Sequence, residues 1–147
     1  LPRFAGVTSP RQRWFGARND TIHLGARWRL NDTDALKSFF NTIHVNYSVH
    51  VFPKRFDQRE VGGWQISHAY AITFPYISDR LYFSGFLDHN INEQSITGGK
   101  RDNIVSENQF GVRLFKKVYG VVEYRINQYR RSDNTNIGIG VEVKTNW

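Results

Sequence analysis

The chain has no cysteine and no methionine, and only four prolines in 147 residues. Without cysteine, disulfides, thiolate nucleophiles and Cys-ligated zinc are excluded. It opens Leu1-Pro2-Arg3 rather than with Met, as expected of a protein that has lost an export signal or of a piece of a longer chain. No stretch approaches about 18 uninterrupted apolar residues, which excludes a transmembrane helix. No convincing amphipathic helix is visible either, and Asp34–Phe40 supplies one turn at most. The mean hydropathy of −0.54 points towards a water-soluble protein, but that inference is valid for helices and not for barrels.

What is present is an aromatic, basic chain: 39% hydrophobic, 15% aromatic, with a formal net charge of +7. That composition is too rich in aromatic and β-branched residues for a disordered chain, and the length suits one domain over residues 1–147. The dominant pattern is strict alternation. Ile22, Leu24, Ala26, Trp28 and Leu30 fall on one face of Thr21–Leu30, with His23, Gly25, Arg27 and Arg29 on the other. In Thr42–Phe52, Ile43, Val45, Tyr47, Val49 and Val51 oppose His44, Asn46, Ser48 and His50. Ile137, Ile139, Val141, Val143 and Trp147 oppose Gly138, Gly140, Glu142 and Lys144. Trp64–Phe74, Arg80–Asn90, Ile104–Phe115 and Val118–Gln128 alternate less cleanly. Period two means strands with one apolar and one polar face. The expectation is an all-β chain of about seven strands, with an eighth before Thr21, near Arg13–Ala17.

These runs last about 10 residues, as a strand tilted across a bilayer requires, against a mode of about 5–6 in soluble sheets. Connections alternate between long (Pro53–Gly63, Asn90–Asn103, Tyr129–Asn136) and short (Pro75–Asp79, Phe115-Lys116-Lys117). Outer-membrane barrels combine short periplasmic turns with long extracellular loops. In such a barrel the apolar face points outward and the polar face lines the lumen, the reverse of a lipocalin-like barrel. Aromatics expected near strand ends (Trp28, Trp64, Phe74, Tyr124, Trp147) suit an interfacial girdle. Opposite charges suit lumenal pairing of Glu107 with Arg113, Glu123 with Arg125 and Glu142 with Lys144.

The candidate lumen or solute-binding residues are Arg27, Arg29, His44, His50, Glu107, Arg113, Glu123 and Arg125, whose arginines would bias the lumen towards anions or polar solutes. His44-x-Asn46-x-Ser48-x-His50 looks like a catalytic or metal-binding strand. Side chains two apart on a strand lie roughly 6.5–7 Å apart, too far for easy Ser–His contact, so a hydrogen-bonded wall is favoured over catalysis. No metal site and no cofactor are expected. Basic residues are dispersed, several in loops (Lys54, Arg55, Arg59, Lys100, Arg101, Arg130, Arg131), which argues for anionic lipid and phosphate-bearing glycolipid as partners rather than nucleic acid.

Two resemblances add to this. Val143, Val141 and Ile139 before Trp147 resemble the C-terminal assembly signal of bacterial outer-membrane barrels, although Thr145 is polar where an apolar residue is usual. Ser84-Gly85-Phe86-Leu87-Asp88, Val105-Ser106-Glu107-Asn108-Gln109 and Val122-Glu123-Tyr124 are similar to the C-terminal half of nucleoside-channel-like (Tsx-like) outer-membrane proteins. The second resemblance implies a channel for small polar solutes such as nucleosides, but this chain is much shorter than such channels.

The expectation is therefore an antiparallel up-and-down transmembrane β-barrel of about eight strands in the bacterial outer membrane, passing or recognising small polar or anionic solutes. An interior of eight strands is just wide enough for side chains. The alternatives are a closed structural or adhesion barrel that binds glycolipid or a partner protein through its loops, a soluble lipocalin-like carrier, and a lipid-modifying barrel enzyme. If the chain is part of a larger barrel, additional strands complete the wall and conduction becomes easier.

Overall fold

A computed structural model describes residues 21–57, 60–95, 99–130 and 132–144. The elements are β1 (Thr21–Arg29), α1 (Asp34–Thr42), β2 (Val45–Asp57), β3 (Glu60–Val61), β4 (Trp64–Phe74), β5 (Ser78–Ser95), β6 (Lys100–Phe115), β7 (Val118–Asn127) and β8 (Thr135–Val143). Seven long strands pair antiparallel with their neighbours in the order β1-β2-β4-β5-β6-β7-β8, and the two-residue β3 bridges β2 and β5. Among the described residues β1 and β8 each pair on one side only, so the architecture is an open up-and-down sheet. The strand expected near Arg13–Ala17 and the terminal Trp147 lie outside the described residues.

Alternation locates the strands because each pleat sends successive side chains to opposite faces. The Lys116-Lys117 turn places Lys116 at φ 45°, the left-handed conformation that tight hairpins use to match strand twist. Three connections differ from expectation. The segment expected to give one turn forms the nine-residue α1, and β2 begins at Val45 rather than Thr42. Ala35, Leu36, Phe39 and Phe40 recur at helical spacing, and Asn31 anchors the helix entry. The Asn31 amide donates to the Val45 carbonyl at 2.9 Å, and its oxygen accepts the Tyr47 N–H at 3.0 Å. Asn31 thus occupies hydrogen-bonding positions along β2 just beyond the end of β1. The other two are Pro53–Gly63, expected as a loop but taken up by β2 as far as Asp57 and by β3, and Asn90–Asn103, also expected as a loop. β5 instead runs on to Ser95 and β6 starts at Lys100, with a register shift between Asn90 and Glu93 where Asn92 takes φ 54°.

One register row crosses the whole sheet: Arg29, Ser48, Ala69, Phe86, Glu107, Arg125 and Asn136. The next row, on the opposite face, holds Tyr47, Tyr70, Gly85, Asn108, Tyr124 and Ile137. The Tyr82 phenol of β5 donates to Glu142 of β8, three strands away. A flat sheet would separate those backbones by about 14 Å at roughly 4.8 Å per strand, beyond the combined reach of the two side chains. The sheet is therefore curled, with the polar face concave.

The interior is polar. No described apolar residue is buried, whereas Asn31, Ser48, His50, Gln65, Asn90, Glu93, Asn103 and Ser106 are. Ser48, His50, Gln65, Asn90 and Asn103 share the concave face through the registers His50↔Ser67, Gln65↔Asn90 and Asn90↔Asn103. The convex face is correspondingly apolar, with Leu24 68% and Ile139 86% exposed.

Candidate functional site

The concave face divides into three parts. On the β1–β5 side, Arg27 stands opposite His50 and Arg29 opposite Ser48. A register shift between Leu24 and Ala26 sets this end of β1, and Gly25 allows the close approach: a Cβ there would collide with the Val51 carbonyl and Phe52. Arg27 and Arg29 overlook a cavity of about 310 Å³ whose walls include Ser48, Ala69, Ser84 and Phe86. Arg29 has one distant ion-pair contact, Nε to Asp32 Oδ1 at 3.8 Å, with the Asp32 side chain 68% exposed. At that exposure the pairing is worth little and leaves most of the guanidinium available.

Across β6–β8, Arg125 lies opposite Glu107, with Nε 3.2 Å from Glu107 Oε2, and also pairs with Glu123. Gly138 faces Glu123 and leaves room for this triad. The expected Glu107–Arg113 pair does not form. Six residues along one strand separate the two by about 20 Å, and Arg113 binds Asp79 at 2.5 Å beside the β4–β5 turn. The Glu123–Arg125 and Glu142–Lys144 pairs are present, the latter at 3.9 Å.

The third part fills the concave face near the short turns. Besides Glu142, Tyr82 Oη takes a hydrogen bond from Gln109 Nε2 at 2.6 Å, and Gln109 Nε2 also donates to Glu142 Oε2 at 3.1 Å. Lys144 Nζ sits 3.5 Å from the Tyr82 ring centroid and 4.4 Å from that of Tyr119. Gly111 makes this possible, since a Cβ there would fall inside the Tyr82 ring. Sequence reasoning missed this cluster. The available signal was a glycine opposite a tyrosine, legible only once the register is known.

His44 does not join the polar face. It lies between α1 and β2 at φ 54°, outside the strand, so the alternation of β2 cannot carry its side chain inward. Its ring meets Tyr76 of the β4–β5 turn at 5.6 Å. Ser48 and His50 remain on one side of β2, both buried. Among the described residues no group of three or more His, Asp or Glu side chains gathers to hold a metal.

Two further clusters lie outside the expected site. Glu93, fully buried, accepts from Asn103 Nδ2 at 2.8 Å and from the Tyr129 phenol at 2.5 and 2.6 Å. It thereby ties the segment after β7 to the extended β5–β6 arm. On the convex face, Tyr47 Oη and His68 Nδ1 are 2.6 Å apart, Tyr70 donates to Asn108, and Asn108 donates to Ser106 at 2.8 Å. These polar groups bond to one another under stacked Phe40, Tyr47, Tyr70 and Phe83, as an apolar surface demands. The aromatic placement follows expectation for Trp28, Trp64 and Phe74 at strand ends, whereas Tyr124 lies mid-sheet in the Tyr70–Asn108 row.

Comparison with protein-family models, curated protein sequences and solved structures found no match for this chain.

Proposed function

We propose that this chain is a bacterial outer-membrane β-barrel of about eight strands, whose polar concave face receives small polar or anionic solutes. The expected eighth strand is the one near Arg13–Ala17. The observation that carries this reading is the inverted polarity of a curled sheet: the buried side chains are polar, and most of the exposed large apolar ones lie on the convex face. Water disfavours that arrangement, because apolar surface left exposed forgoes about 25 cal/mol per Å². A hydrocarbon surrounding favours it, because every strand then meets lipid with one face and a polar lumen with the other. Seven long antiparallel strands, with tight β4–β5 and β6–β7 turns at the end where β1 and β2 are joined through α1, fit the same reading. The Tsx-like resemblance adds solutes of nucleoside size.

One observation favours a second reading. The cluster of Tyr82, Gln109, Tyr119, Glu142 and Lys144 occupies the concave face near the short turns. That supports a closed barrel that holds a ligand or acts through its loops, rather than an open pore.

The test is refolding of the full 147-residue chain. The expected result is monodisperse β-structure in detergent or phospholipid vesicles and aggregation in plain buffer. A folded monomer in plain buffer refutes the membrane reading. Planar-bilayer recording then separates the two modes: conductance supports passage, and silence at high protein load supports the closed barrel.

A further inference from the structure

We infer that the cavity under Arg27 and Arg29 is a binding site for a small organic anion, a carboxylate or phosphate monoester carrying a planar apolar group. The inference deepens the proposed function and rests on its reading of the concave face as the face that meets solutes. Three observations carry it.

First, two guanidiniums from one strand overlook the cavity, and no carboxylate is among the residues that line it. Of the acids nearby, Glu107 is engaged by Arg125, and Asp32 is mostly exposed, with Oδ1 3.8 Å from Arg29 Nε. Two cations beside a half-enclosed space favour an anion, and the planar fork of arginine matches the paired oxygens of carboxylate and phosphate.

Second, Ser48 and Ser84 place hydroxyls on two other strands around the same space. A hydroxyl can donate to an anion's remaining lone pairs, so the polar groups reach the head group from β1, β2 and β5.

Third, apart from Asn46 the rest of the wall is aromatic (Tyr47, Tyr70, Phe86) or small (Ala69, Ala71, Gly85). Ala69 lies between Ser48 and Phe86 in the register row, and its methyl leaves the space that a larger side chain would fill. Phe86 presents a ring to that space. At about 310 Å³ the cavity sits at the lower end of the usual range for small-molecule pockets. It suits a single-ring ligand rather than a long lipid chain.

The experiment is isothermal titration of the full chain, folded in detergent micelles, with phenyl phosphate, benzoate and neutral benzyl alcohol. Saturable binding of both anions is expected, with benzyl alcohol at least tenfold weaker. Arg27→Gln and Arg29→Gln should each weaken the anions at least tenfold and leave benzyl alcohol unchanged. Arg27→Lys should fall between, because it keeps the charge and loses the fork. Ala69→Leu should abolish binding of all three ligands. Far-UV circular dichroism and the unfolding midpoint show which variants are folded, and the three arginine variants keep the test alive if Ala69→Leu does not fold. Anion binding that is absent, or no tighter than that of benzyl alcohol, in a folded wild-type chain overturns the inference. Conductance or nucleoside uptake without anion binding overturns the anion site and spares the solute-facing reading. Anion binding by a folded monomer in plain buffer upholds the site and overturns the membrane reading alone.

Discussion

Gly111→Ala is a small change with a large expected effect, and its sign depends on a residue on the neighbouring strand. The added methyl would overlap Cε1 and Cζ of Tyr82, so the ring must leave its place across β6. Tyr82 then loses its bond to the Glu142 carboxylate, the Gln109 amide and its position beneath Lys144. A hydrogen bond to a charged group is worth about 1.5–3 kcal/mol, a neutral one about 0.5–1.5 and a partly exposed cation–π contact about 0.5–1. These share partners and do not add fully, so Gly111→Ala should cost about 3 kcal/mol. In a Tyr82→Ala background the clash is gone. Alanine in a strand then gains about 0.5–1 kcal/mol over glycine, so the same substitution should become neutral or stabilising. The assay is reversible urea unfolding of the full chain in detergent, read as a double-mutant cycle. Equal costs of Gly111→Ala in the two backgrounds, within about 0.5 kcal/mol, would refute the coupling and with it the concave placement of Tyr82.

Glu93→Ala should cost about 3 kcal/mol, because it strands the buried Asn103 amide and removes the acceptor of the half-buried Tyr129 phenol. Limited proteolysis should then cut first near Tyr129. Asn31→Ala removes the acceptor of the Tyr47 N–H and the donor to the Val45 carbonyl, for about 1–3 kcal/mol. Amide exchange should rise in α1 and at Tyr47 while β6 and β7 stay protected. Ile139→Lys discriminates the surroundings of the convex face, since Ile139 is 86% exposed. In a bilayer it should cost up to about 2–4 kcal/mol, depending on depth, whereas a water-exposed site would shift by no more than about 0.5 kcal/mol.

The strands were readable because alternation survives any environment that treats the two faces differently. Trp64–Phe74 carries its period from end to end, and its predicted and observed limits coincide. The helix was not, because its last residues merge into the alternating run that begins at Thr42, so that Thr42, Ile43 and His44 extend that run three positions ahead of the true strand. Pairing was legible only for near neighbours on one strand, such as Glu123 and Arg125. Glu107 finds Arg125 across the ladder instead of Arg113 along it, because register is a property of two strands. Arg27, Arg29 and His50 could be assigned to the polar face from sequence. The cavity beneath the arginines could not, since it depends on which small residue, Ala69, stands next to Ser48 on the neighbouring strand.

The absence of any buried apolar side chain among the described residues also bears on how such a chain can be handled before it folds. Collapse in water is driven by apolar groups finding one another, and in this sheet the native arrangement sets them on the outside of the curve. Water therefore selects against the native curvature. It favours copies pressed together by their convex faces, or joined along the edges of β1 and β8. On the proposed membrane reading, the medium against the convex face is a component of the native state, as much as any side chain. On that reading, the hazard of misassembly would be greatest in any aqueous compartment crossed before the chain reaches the bilayer.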